Sequence, residues 1–121
     1  MFIKTLIRFI VLAGVWQSVQ ATPCAPDSET LRSIRTELEQ IREADQAVRR
    51  NLNYLDSEQV EKMRTVDAVN RKRLKEIISR IGWPSKELVG ENASSGALLV
   101  AQHAHEDLGF MKEVFSHIEA D

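Results

Sequence analysis

Apolar side chains recur at Leu31, Ile34, Leu38, Ile41, Val48, Leu52 and Leu55, while Arg32, Arg35, Glu39, Arg42 and Glu43 fall mostly off that line. Steps of three, four and seven define one face of a helix. Asp27, ahead of Ser28-Glu29-Thr30, is its expected N-cap, and the turn-prone stretch Asn51 to Asp56 ends it. A second helix is expected to start at Asp56-Ser57, with Glu58 and Glu61 in its opening turns. Its face is Val60, Met63, Leu74, Ile77 and Ile81, widened by Val66, Val69 and Ile78. Gly82 and Pro84 stop it near Ile81, with Trp83 held between the two breakers.

A connector from Ser85 to Asn92 has room for one helical turn. Ala93 to Ala104 then predicts a third helix whose small residues, Ala93, Ser94, Ser95, Gly96 and Ala97, permit close approach of a neighbour. Around His105 to Asp107 this helix either bends or restarts. In the second case Asp107 caps a last helix carrying Leu108, Phe110, Met111, Val114, Phe115 and Ile118. No segment alternates with period two. The expected fold is all-α, a compact bundle of three to four helices.

Two seams contain polar residues where apolar ones are due. The series 31, 34, 38, 41, 45, 48, 52 is interrupted by Asp45, and the series 60, 63, 67, 70, 74, 77, 81 by Asp67 and Asn70. An antiparallel hairpin turning near Asp56 sets Leu38 opposite Leu74, Ile41 opposite Asn70, Val48 opposite Met63 and Leu52 opposite Val60. It also sets Asp45 opposite Asp67. Two carboxylates in one core layer are costly unless a proton, a protein cation or a metal compensates them. Arg49, one turn after Asp45, is within reach. His103 and Asp107 share a helical face if their helix is unbroken, so Asp45, Asp67, His103 and Asp107 form a candidate set for a divalent metal such as Mg, Mn, Zn or Fe. An ion pair of Asp45 with Arg49 that only fixes packing is the competing reading.

Composition narrows the options. The chain has 121 residues, 43% apolar and 28% charged, with 16 Lys+Arg, 18 Asp+Glu and a single Cys. That excludes a multidomain enzyme, a disulfide-stapled scaffold, a zinc ribbon and a strongly basic nucleic-acid binder. Met1 to Ala21 has the parts of a secretory signal. Lys4 and Arg8 precede the apolar run Phe9 to Trp16, and Val19-Gln20-Ala21 is a loose cleavage site. The run is too short to span a bilayer. Cleavage would remove Lys4 and Arg8, leaving 14 basic against 18 acidic groups, a formal charge of −4. The expected organisation is a signal peptide over 1–21, a flexible leader over 22–26 and one helical domain over 27–121, located in the periplasm or secreted, without a stable membrane span. Cys24 in the leader reads as incidental. The basic run Arg71, Lys72, Arg73 and Lys75 reads as a solvated helix face rather than a nucleic-acid site.

The blocks Asp45-Gln46-x-x-Arg49, Asp67-x-x-Asn70, Gly82-Trp83-Pro84, Val89-Gly90 and Gln102-His103-Ala104-x-x-Asp107 occur in this order between about residues 30 and 118. In that order they resemble a bacterial domain family with no settled activity. The resemblance implies site positions at Asp45, Gln46, Arg49, Asp67, Asn70, Trp83, Gln102, His103 and Asp107, and implies no reaction. It also implies later Asp-Arg and Tyr-Gly-Thr-Gln blocks, which this sequence lacks. Trp83 is read first as an aromatic plug and only second as a ligand platform. Two functions are expected to compete: a polar small-ligand or metal site in the bundle core, and a periplasmic protein-interaction module of inhibitor or immunity type whose inner polar residues are structural.

Overall fold

The computed structural model describes residues 24–120, so the expected signal peptide and the first residues of the leader lie outside the described residues. Five helices follow in order: α1 (Ser28–Ala47), α2 (Ser57–Ile81), α3 (Lys86–Val89), α4 (Glu91–Gln102) and α5 (Leu108–Ala120). The fold is all-α, with α3 a single turn in the connector. Among the described residues, no helix is long and apolar enough to cross a membrane.

The helix ends follow local chemistry. Asp27 accepts a hydrogen bond from Thr30 N at 2.7 Å. Asp56 accepts from the backbone N–H groups of Glu58 and Gln59 at 3.0 and 3.2 Å. Gly82 closes α2 with φ +76°, a left-handed value that glycine adopts without steric cost. Gly90 does the same after α3, at φ +86°, and Arg35 Nε donates to the Val89 carbonyl at 2.7 Å. This bond ties the short turn to α1.

The first helix is shorter than its stripe. It stops at Ala47, and Asn51 at φ +59° turns the chain away, a conformation that Asn tolerates better than most residues. Leu55 is consequently exposed rather than part of the buried face, and so is Val69 on α2. The core is built from Ile34, Leu38 and Ile41 of α1, Leu74, Ile77 and Ile78 of α2, Val89, and the α4 residues Ala93, Ala97, Val100 and Ala101. Ala104, Phe110 and Val114 complete it, with Ile81, Trp83 and Met111 packed against its edge.

The most extensive packing is between α1 and α4 rather than within the α1–α2 hairpin. Small residues make it possible: a Cβ added at Gly96 would lie 2.6 Å from the Leu38 carbonyl oxygen and 3.0 Å from Arg42 Cβ. The α1–α2 pair is nonetheless antiparallel, because Glu37 near the middle of α1 binds Arg73 late in α2, and Arg49 beyond α1 binds Asp67 earlier in α2.

Helix lengths then shape the surface. At about 1.5 Å per residue, the 25 residues of α2 extend well past the 12 of α4. Among the described residues the overhanging N-terminal half of α2 is only partly covered, and Val60 and Met63 are half-buried.

Gly96→Ala separates helix propensity from packing. Alanine's intrinsic preference would stabilise α4 by about 1 kcal/mol, whereas the forced contact with a backbone oxygen costs about 1–3 kcal/mol. Urea unfolding is expected to show a net loss of stability. A gain would mean that α1 and α4 lie further apart than described.

Candidate functional site

Four segments converge at the end of the hairpin: the last turn of α1, the Arg49 turn, the middle of α2 and the C-terminus of α4. Asp45 is only 1% exposed, and its carboxylate is met from three directions. Arg49 Nη1 donates to Oδ1 at 3.1 Å and also to the Asp45 carbonyl at 3.1 Å. Gln46 Nε2 donates to Oδ2 at 2.8 Å. His103 Nδ1 lies 2.7 Å from Oδ1. A carboxylate can only accept, so Nδ1 is the donor of this contact, and the neutral form of the ring would have its unprotonated nitrogen at Nε2.

Asp67 faces Asp45 as the hairpin register requires. Arg49 is the cation between them, with Nη2 2.9 Å from each oxygen of Asp67. A single guanidinium therefore binds both carboxylates, and planar delocalised charge suits that task. One ligand atom from each of Asp45, Asp67 and His103 can be chosen so that all three lie within 4.8 Å of one another. Asn70, one turn further along α2, is 5% exposed, and its Nδ2 has no hydrogen-bond partner among the described residues.

His103 is the C-cap of α4 at φ −85° and ψ 0°. The chain then breaks, with Asp107 N bonded to the Ala104 carbonyl at 2.8 Å. The condition for Asp107 to share a helical face with His103, an unbroken helix, is therefore not met, and the alternative, a restart capped by Asp107, holds. Asp107 instead caps α5, accepting from Phe110 N at 3.0 Å, and binds Lys75 Nζ at 2.6 Å. It is not brought into the Asp45–Asp67–His103 group. The Lys75 ammonium, then the Phe110 N–H, hold its carboxyl below the ordinary carboxylate value, with the nearby Arg71 charge a smaller influence.

Two further expected site residues lie elsewhere. Trp83 packs against the core edge below α2. Gln102 is exposed and borders an apolar groove between α4 and α5 with Leu98, Phe115 and Ile118. The basic run is not a bare solvated face either. Arg73 binds Glu37 and Glu76, Lys75 binds Asp107, and Arg71 Nε stands 3.8 Å from Asp107 Oδ2. The Glu37 and Glu76 carboxylates push the Arg73 pKa above its ordinary value.

The exposed edge of His103 opens into a cleft of about 440 Å³ beneath the overhang of α2. Arg49, Asp67 and His103 share this cleft with Tyr54, Arg64, Arg71, His105 and Glu106, while Val60, Met63 and Ala68 supply apolar wall. The linear pattern assigns no site role to Tyr54, Arg64, Arg71, His105 or Glu106. A signal for two of them exists: Arg64, Asp67 and Arg71 stand at three-four spacing on α2, one polar stripe beside the apolar seam.

A sequence model described as a family of unknown function (DUF6624) matches residues 32–119, and the chain belongs to that family. No curated protein and no solved structure matches.

Removing Arg49 leaves Asp45 and Asp67 facing each other without their shared cation. Breaking a buried pair in this way costs about 3 kcal/mol or more, so Arg49→Met is expected to lower the urea midpoint sharply. Adding Asp67→Asn should restore part of the loss, because one of the two stranded charges is then gone. A midpoint unmoved by Arg49→Met would contradict the arrangement.

Asp107 gives a pH test. A carboxyl held below its ordinary value contributes stability above the unfolded-state pKa and loses it as pH falls through the folded-state pKa. The stability gap between the protein and Asp107→Asn should stay level near neutral pH and shrink below about pH 4. A gap that widens on acidification would reverse the sign.

Proposed function

We propose that this member of the DUF6624 family is an exported protein, periplasmic or secreted, that binds a small polar ligand in the cleft and exchanges a proton with it through His103. One observation carries the reading. His103 is held at Nδ1 by Asp45 at 2.7 Å, while 27% of its side chain stays exposed in a cleft that also holds Arg49, Arg64 and Arg71. A carboxylate behind one ring nitrogen fixes the ring and its tautomer. The other nitrogen is then able to accept a proton from a bound group, or to return one, at a fixed position. The arginines favour a ligand that bears negative charge. Asp45 acts through His103 and is a positioning residue.

A divalent metal is the second reading, supported by the three ligand atoms within 4.8 Å of one another. Carboxylate and imidazole donors suit such an ion. The cost lies in Arg49, which already binds both aspartates and would have to leave them before a cation could enter. This is why the polar-ligand reading is preferred. Export rests on the signal-like features of residues 1–21.

Thermal unfolding after chelation discriminates the readings. The protein, Asp45→Asn, Asp67→Asn and His103→Gln are melted with each of Mg, Mn, Zn, Fe(II) and Ca, and with a panel of small anions: phosphate, sulfate, phosphate monoesters and carboxylates. The polar-ligand reading expects at least one anion to raise Tm. A ligand at a hundred times its Kd contributes about 2.7 kcal/mol, and His103→Gln should abolish that rise. A metal-specific rise lost in both aspartate variants would replace this reading with a metal site. No shift with any compound would favour the interaction module, with the cluster serving only to fix packing.

A further inference from the structure

We propose that the cleft receives the phosphate group of an organic phosphate monoester, bound by Arg64, Arg71 and the free Nε2 edge of His103, with an apolar or aromatic body against Tyr54, Val60 and Met63. The inference rests on the polar-ligand reading and names its ligand class.

Of the three arginines in the cleft, Arg49 is spent on Asp45 and Asp67. Arg64 forms no ion pair among the described residues, and it lines the cleft. Arg71 is only loosely held: its Nε is 3.8 Å from Asp107 Oδ2, an oxygen that Lys75 already occupies at 2.6 Å. Glu106 is the one acidic group of the cleft not bound to a cation in the geometry above. Two available guanidiniums and the imidazoles of His103 and His105 therefore stand with the Glu106 carboxylate and with the one negative charge that Arg49 leaves on Asp45 and Asp67. A cationic ligand would meet two free guanidiniums, and a neutral sugar, whose hydroxyls accept hydrogen bonds, would leave them without a counter-charge. A phosphate monoester, carrying close to two negative charges and three terminal oxygens at neutral pH, can engage several donors at once.

About 440 Å³ suits a small organic molecule rather than a bare ion. Val60, Met63 and Ala68 add apolar lining on the same helix as Arg64 and Arg71, and Tyr54, which also lines the cleft, is 74% exposed. An exposed aromatic ring at the mouth of a charged cleft offers a flat surface for the body of the ester. A polymeric phosphodiester fits less well, because the body of the protein is net acidic and would repel an extended polyanion.

Calorimetric titration with phenyl phosphate, inorganic phosphate and benzoate tests the proposal. Phenyl phosphate is expected to bind at least about tenfold more tightly than benzoate, which has the ring but one charge, and more tightly than inorganic phosphate, which lacks the ring. Arg64→Gln and Arg71→Gln, both outside the core, should each weaken phenyl phosphate about tenfold, equivalent to 1.4 kcal/mol. Tyr54→Ala should erase the preference over inorganic phosphate while leaving inorganic phosphate itself unchanged. Co-sedimentation with phosphatidylcholine vesicles, with and without phosphatidate, separates the sources. Selective capture by phosphatidate would keep the chemistry and assign it to a lipid headgroup, and capture of phenyl phosphate alone would assign it to a soluble ester.

Benzoate binding as tightly as phenyl phosphate, or arginine variants that bind it unchanged, would overturn the proposal. If phosphate esters fail while another anion of the melting panel gives a rise that His103→Gln removes, this inference falls and the proposed function stands. If every anion fails, both fall.

Discussion

A carboxylate buried to 1% exposure inside a helical bundle must be compensated, and the Asp45 side chain sets the terms for everything around it. Desolvating one unpaired charge costs several kcal/mol, a large share of the net stability of a domain this small. The compensation comes from Arg49, His103 and Gln46 together. Each partner belongs to a different constraint. Gln46 is the next residue of the same helix, Arg49 brings in Asp67 and hence α2, and His103 brings in the end of α4. One buried charge thereby fixes the register of three helices at the same level, and it leaves an imidazole aimed outward with its tautomer set from behind.

Packing then decides that this imidazole meets a cleft rather than more protein. The small face of α4, with Gly96 against the Leu38 carbonyl, draws α4 close to α1 and ends at Gln102. The longer α2 continues past it. Asp107 starts α5 in a new direction and is fastened to α2 by Lys75, whose ammonium also lies 5.1 Å from the centre of the Phe110 ring. The cleft is the space left by a helix that stops, a helix that overshoots and a cap that turns the chain aside.

Much of this was legible in the linear pattern, and the reasons are local. Helix starts at Asp27 and Asp56 and the stop at Gly82 follow from side-chain capping and positive φ, which act within a few residues. Asp45 and Asp67 stood out because a three-four seam makes any polar intruder visible, and a short connection limits how a hairpin can align. What was hidden depends on the third dimension. His103 and Asp107 at i,i+4 are equally consistent with a shared face and with a break followed by a cap, and only tertiary contacts to Asp45 and Lys75 choose between them. Leu55 and Val69 have core-like spacing yet are exposed, Leu55 because it lies past the end of α1 and Val69 because, among the described residues, no helix covers its side of α2. Arg71 looked like solvent-facing charge, since nothing local reveals that α4 ends beside it. Trp83 and Gln102 belong to the same ordered blocks as the cluster but pack elsewhere.

The central claim is that Asp45 holds His103 through Nδ1 and leaves Nε2 facing the cleft. Long-range proton–nitrogen NMR of the imidazole tests it most directly. Above the pH at which the ring is protonated, the His103 signals should report a proton on Nδ1, and Asp45→Asn should release the ring into a mixture of tautomers. A ring carrying its proton on Nε2 in the unaltered protein, or one indifferent to Asp45→Asn, would contradict the account.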